Sequence, residues 1–181
     1  MWGSRQKTKT QYENACKDLQ EGTFERAIET FTACIISQPQ EAAAYCGRAI
    51  AHFELKHWKA AQADFRRARD LNPDDPESWI GLGMSLAMEL QIFPAIEVVE
   101  TYLMSHPTYM RAHLVLGMLY FRLGVLHKGR NYLEKARELD PSPEDLRLIE
   151  SQLQEQAQIY QKRSYCSDLG ALHQPDRTSD E

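Results

Sequence analysis

Small and large positions recur along this chain with one long period. Small residues stand at Ala15, Ala49, Gly83 and Gly117, and again at Ala27, Ala61, Ala95 and Gly129. Large apolar residues stand at Phe31, Phe65, Val99 and Leu133, and at Phe24, Trp58, Ile92 and Leu126. Each set advances in steps of 34, as do Pro39, Pro73, Pro107 and Pro141. A period of that size belongs to a stacked supersecondary unit, not to a single helix or strand. Inside the windows the apolar spacing is three and four, as in Phe24, Ala27, Ile28, Phe31 and Ile35, which is one face of a helix. The windows 8–41, 42–75, 76–109 and 110–143 therefore each read as two helices of about a dozen residues with a short turn between them. Small residues at matched places let the two helices approach, and the large ones fill the space beside them.

The breaks between elements carry their own signals. The first helix is expected from Arg5 to Gln20, with residues 1–7 extending it beyond the repeats, and a turn at Gly22, where a left-handed residue suits a helix end. Thr23 is the expected cap of the next helix. At Asn72-Pro73-Asp74-Asp75-Pro76 a helix stops and another starts, with Asp75 as N-cap and Pro76 at the first helical position. Pro94 falls near the start of a second helix, where its missing N–H is of little consequence. Ser142 caps one more helix, spanning 144–163, whose stripe is Leu146, Ile149, Leu153, Ala157 and Tyr160. Such a helix covers the last repeat of a solenoid and turns a polar face to water. A coiled-coil seam is the alternative reading of that segment. Residues 164–181 have the composition of a disordered tail, although Tyr165, Leu169 and Leu172, with Ile159 and Tyr160, could fold back as a plug.

The windows resemble tetratricopeptide repeats. Ser78-Trp79-Ile80-Gly81-Leu82-Gly83 matches the family's W-x-x-L-G opening. Window 110–143 carries Leu116-Gly117, Tyr120, Gly124, Ala136 and Pro141, and window 42–75 carries Tyr45, Ala49, Ala61, Phe65, Ala68 and Pro73. Four motifs in unbroken register over 8–143 make the resemblance specific. It implies an all-α fold, a right-handed α-solenoid of four helix-turn-helix repeats closed by the C-terminal capping helix. Some places depart from the pattern. Gln11 and Asn14 are polar where the first window should be apolar, as suits a terminal repeat facing water. His113 takes the Trp place of the last window. Tyr102 stands where Cys34, Ala68 and Ala136 are small, so the contact between the third and fourth windows is expected to be altered.

Composition narrows the function. A hydrophobic share of 43% and a charged share of 26% are ordinary for a globular chain. A net charge of −5 leaves no basic excess to neutralise phosphates, so nucleic acid is not an expected partner. No apolar run is long enough to cross a bilayer, and no secretory signal follows Met1-Trp2-Gly3-Ser4-Arg5-Gln6-Lys7, so a cytoplasmic location is expected. Cys16, Cys34, Cys46 and Cys166 show no C-x-x-C pair and no metal spacing. Six histidines are scattered over different repeat places, and no hydrolase, zinc-protease or phosphate-loop motif occurs. His52 and Glu54 could be imagined as an acid–base pair, but adjacent helical turns of a repeat make them surface residues. Arg66, Arg67 and Arg69 could form an anion site, against the plainer reading of cations at a helix C-terminus. Neither enzyme activity nor a cofactor or metal is expected.

The resemblance implies that function sits on a surface, because the first helix of each repeat lines a concave groove in this family. Its groove places hold Tyr12, Cys16 and Leu19; Cys46, Gly47, Ile50 and Phe53; Ile80, Gly81, Met84, Ala87 and Met88; and Arg111, Leu114, Val115, Met118, Phe121 and Arg122. The surface is apolar and contains three methionines, whose flexibility suits varied apolar ligands. Relatives that grip acidic chaperone tails use a clamp of Lys, Asn, Asn, Lys and Arg. The matching places here hold Tyr12, Cys16, Gly47, Glu77 and Gly81, or, one window on, Cys46, Ile50, Gly81, Arg111 and Val115, and neither set forks two carboxylates. The expected function is an adaptor or chaperone-like interaction module that takes an apolar helix or extended peptide in its groove. The alternative is a self-associating scaffold or assembly subunit, its groove filled by the chain's own tail or by a second copy.

Overall fold

The computed structural model describes residues 2–139, 141–155 and 158, with side chains from residue 10 onward. All elements among the described residues are helices: α1 (Trp2–Gln20), α2 (Phe24–Ser37), α3 (Ala42–Glu54), α4 (Trp58–Leu71), α5 (Pro76–Met88), α6 (Ile92–Ser105), α7 (Met110–Arg122), α8 (Leu126–Glu138) and α9 (143–155). The second helices begin at Phe24, Trp58, Ile92 and Leu126, steps of 34 that reproduce the sequence period. α1 starts at Trp2, three residues before the predicted Arg5. The predicted extension of α9 to 163, and the tail 164–181, lie outside the described residues apart from 158.

Each helix packs on its chain neighbours. Beyond that, α1 touches α3, α3 touches α5 and α5 touches α7, whereas α2, α4, α6 and α8 do not touch one another. First helices that meet while second helices spread apart define a curved stack, with α1, α3, α5 and α7 on its inner, concave side.

The four turns between first and second helices share one backbone feature. Gly22, Lys56, Leu90 and Gly124, all at the fifteenth repeat place, have positive φ of 74°, 61°, 62° and 82°. The turn demands the left-handed region wherever it recurs, and at two of the four places a side chain is forced into it. Asp75 caps α5 as expected, accepting from the Ser78 N–H at 3.1 Å, and Ser142 accepts from the Asp145 N–H at 3.2 Å. Thr23 does not cap α2. Its hydroxyl turns back to the Asp18 carbonyl (3.1 Å) and carboxylate (3.3 Å) at the end of α1.

Three prolines of the ladder are each bonded by a side chain of the next repeat. Tyr45 Oη and Trp79 Nε1 donate to the carbonyls of Pro39 and Pro73 at 3.3 and 2.8 Å. His113 Nε2 does the same to Pro107 at 2.8 Å, so His113 occupies the Trp place without losing the bond. A carbonyl only accepts, so Nε2 is the donor, while the buried Nδ1 has no partner. Tyr102 fits by joining an aromatic cluster at the α6–α7 turn: it stacks on His106 (4.2 Å, 13°) and meets Tyr109 edge-on (5.5 Å, 84°).

The contacts between successive repeats show size complementarity at a single pair of places. Phe31 lies against Gly47, and Phe65 against Gly81. At the next two junctions the same places hold Val99 and Val115, and Leu133 and Ile149, each two sharing one apolar cluster, while Val99 and Leu133 lie against Gly83 and Gly117 of their own repeats. Where the first place holds a full ring the second holds no side chain, and where it holds a smaller aliphatic the second holds one too.

Candidate functional site: the concave face

The predicted groove residues divide by depth. Met84 and Met88 are exposed, at 37% and 46%, as is Arg122, and Tyr12, Cys16, Leu19, Ile50, Phe53, Val115 and Met118 are half-buried. Ile80, Leu114, Phe121 and Cys46 are buried, at 1%, 5%, 8% and 9%, and Ala87 is buried too. Ile80, Leu114, Phe121 and Ala87 belong to the core, whereas Cys46 also lines the cleft at the α1–α3 end. Phe121 lies where a Cβ on Gly129 would be, and shares a cluster with Leu114, Leu133 and Ile149 of α9. Leu153 of α9 packs there with Met110 and Met118, so α9 covers the α7 end of the face. Gly47 and Gly81 each lie against a phenylalanine ring, and Gly47 with Phe31 also lines the cleft at the α1–α3 end. What is left open runs across α1, α3 and α5.

At the α1–α3 end the face deepens into a cleft of about 300 Å³. Tyr12, Cys16 and Leu19 form one wall, Cys46 and Ile50 the other, and Asn72, Asp75 and Glu77 close the end toward α5. The cleft is a poor place for a thiolate or phenolate. Burial, then the charge of Asp75, pushes the Cys46 thiol up to about 12. Burial, then Cys16, pushes the Tyr12 hydroxyl up to about 12. Cys46 is therefore a protonated, weakly nucleophilic thiol.

The clamp places give no cationic fork. Glu77 is the only charged side chain among Tyr12, Cys16, Gly47, Glu77 and Gly81, and it pairs with Arg111 of α7. Among the described residues no group of three His, Cys, Asp or Glu could hold a metal ion. His52 and Glu54 do not form an acid–base pair. The His52 ring turns toward Asp64, Arg48 and His57, its Nδ1 is buried without a partner, and Glu54 is exposed. The arginines of α4 do not converge on an anion. Arg69 pairs with Asp70 and lies over the Trp79 ring, and Arg67 lies over Tyr45.

One polar feature escaped the sequence reading. Arg48 of α3 makes a bidentate bond to Asp64 of α4, 2.7 Å at each oxygen, and also donates to Thr32. The pair is mostly buried, with 20% and 10% of the side chains exposed. The same two repeat places hold Leu82 and Val98 one window later, so a paired polar departure from an apolar pattern was the available signal.

Comparison with known proteins agrees with this geometry. Family profiles described as tetratricopeptide repeat match residues 12–76 and 48–90, and a second such profile matches 111–143. The chain belongs to the tetratricopeptide-repeat family. A search of curated proteins finds no match. Among solved structures, this tetratricopeptide-repeat chain is similar to TTC0263 of Thermus thermophilus, at 21% identity over 81% of either chain with a TM-score of 0.71. It is similar to MamA, at 24% identity over 73% of this chain and 77% of that one, TM-score 0.68. The second repeat domain of human RPAP3, solved in complex with the HSP70 peptide SGPTIEEVD, is 22% identical over 64% of this chain and 97% of that one, TM-score 0.61. At these identities the likeness is one of fold. No helix among the described residues is long and apolar enough to cross a membrane.

Proposed function

We propose that this protein is a non-enzymatic adaptor or chaperone-like module whose concave face binds an apolar segment of another protein, as a helix or an extended strand. The observation that carries the reading is the open apolar strip over α1, α3 and α5: exposed Met84 and Met88, half-buried Ile50 and Phe53, and the cleft beside Tyr12 and Cys16. Members of this family are in general binding scaffolds, and the RPAP3 domain holds a peptide. That peptide ends in Glu-Glu-Val-Asp, whereas the clamp places here offer Glu77 in one register and Arg111 in the other, and those two pair with each other, so acidic tails are not the proposed ligand. Two or three buried apolar anchors, each contributing about 1.5–3 kcal/mol, support micromolar binding after ordering costs. A cytoplasmic setting belongs to the proposal and suits the free thiols Cys16, Cys34 and Cys46.

The test is a cross-linking pull-down with the full chain and with Met84→Glu and Met88→Glu variants. Both side chains are exposed, so the variants are expected to fold and to lose the captured partners. Capture of the same partners at the same level by both variants removes the concave face as the site. The self-filled reading draws support from α9, which already covers the α7 end of the face. It predicts that the full chain captures little until residues beyond 158 are removed.

A further inference from the structure

The concave-face reading leaves open what distinguishes one apolar segment from another, and the cleft at the α1–α3 end bears on that choice. Its walls are apolar, but its rim is acidic. Asp75 and Glu77 line it where α5 begins. Glu41 sits beside the lining residue Ala42, and its charge acts on the Tyr12 hydroxyl inside the cleft. The carboxylate of Asp75 is held in place by the Ser78 backbone and hydroxyl, both neutral donors. Among the described residues, Asp75 and Glu41 meet no Lys or Arg in an ion pair, and Glu77 meets only Arg111. Three carboxylates against one guanidinium leave the rim at a net −2. The field is felt inside: the charge of Asp75, and more weakly that of Glu77, disfavours ionisation of Cys46.

We infer that this cleft takes an apolar side chain from a segment that carries a lysine or arginine next to it, the apolar group seated between Tyr12 and Ile50 and the cation at the Glu41–Asp75 rim. The inference rests on the concave-face reading above and adds the charge of the ligand to it. A segment with a carboxylate at that place would bring like charges together at the rim, and the sign of the rim discriminates between otherwise equal apolar ligands. A cation on the ligand pairs with Glu41 and Asp75, which no Lys or Arg among the described residues neutralises, at the edge of a surface with low polarity.

The experiment uses the full chain and three short synthetic peptides that share one leucine-rich sequence and differ at one place, which is Lys, Gln or Glu. Affinities are measured by fluorescence anisotropy at low and high salt. The expected order is Lys tighter than Gln tighter than Glu, with about a five-fold or larger gap between Lys and Glu at low salt, shrinking as salt screens the rim. Glu41→Gln with Asp75→Asn is expected to flatten the order; asparagine caps a helix as well as aspartate does, so α5 keeps its start. Equal binding of all three peptides that is lost on Ile50→Glu overturns the charge preference and leaves the concave face standing. A preference for the Glu peptide also overturns it. Binding of none of the three overturns both readings.

Discussion

The pairing of a phenylalanine ring with a glycine at successive repeat junctions makes a quantitative prediction. A Cβ added at Gly81 would sit 2.3, 2.4 and 2.7 Å from three ring carbons of Phe65. Restoring an ordinary carbon–carbon contact of about 3.5 Å moves the ring by roughly 1.2 Å, inside a core where Phe65 is 2% exposed. Overpacking of that kind costs about 1–3 kcal/mol, and the better helix propensity of alanine returns up to about 1 kcal/mol. Gly81→Ala is therefore expected to lose about 1–2 kcal/mol, and Gly81→Val about 3 kcal/mol. Phe65→Val alone removes ring volume and is expected to cost about 2–4 kcal/mol. The double variant Phe65→Val, Gly81→Val places at these positions the residues that the next repeat junction holds at Val99 and Val115. It is expected to cost only about 1–2 kcal/mol, so the two changes are coupled by several kcal/mol. Urea unfolding followed by circular dichroism, with the midpoint compared at constant slope, measures each corner of the cycle. Costs that add to within about 0.5 kcal/mol would refute the reasoning, because two residues that share one space cannot be independent.

Three further outcomes follow from other places. Leu90 has φ 62° and is 76% exposed, so Leu90→Gly relieves left-handed strain without losing packing. After the extra freedom of the unfolded glycine it is expected to raise stability by about 0.5 kcal/mol, seen as a higher urea midpoint; a loss of that size would contradict the assigned strain. Asp64→Ala strands the Arg48 guanidinium and is expected to cost about 3 kcal/mol, whereas Arg48→Leu with Asp64→Val, the residues of the next repeat, is expected to be near neutral; equal losses in both variants would show that the pair itself stabilises the junction. Burial holds the His52 imidazole below its usual pKa, against Asp64, which favours its charge, while Arg48 and His57 oppose it. The unfolded chain then binds more protons in the window between the lowered folded value and about 6.5, so stability is full above about pH 6.5 and falls below it. His52→Gln is expected to reduce that fall between about pH 7.5 and 5.5 in urea midpoints, and an unchanged slope would count against it.

Much of the architecture was legible in one dimension because repeats are held together by neighbours. Each repeat must present small residues where helices meet and large ones where they do not, so the packing is written as a period. The helix starts at Phe24, Trp58, Ile92 and Leu126 and the cap at Asp75 follow from that period and from local chemistry. Thr23 makes no cap because its hydroxyl donates back to Asp18, five residues earlier, where the last turn of α1 and the left-handed Gly22 place it, instead of accepting from the start of α2.

The sequence by itself determined the helical period and the turn places. Which groove places face outward was decided by tertiary structure alone. Met84 and Phe121 are both large, apolar and on first helices, and nothing local separates them. Phe121 is buried because Gly129 lacks a side chain and because α9 comes back over α7, both of which are facts about distant partners. The cleft beside Tyr12 and its acidic rim likewise arise only when α1, α3 and the start of α5 are brought side by side. Exposure is set by what lies opposite a residue, and a periodic pattern records the size of each side chain but not the neighbour that covers it.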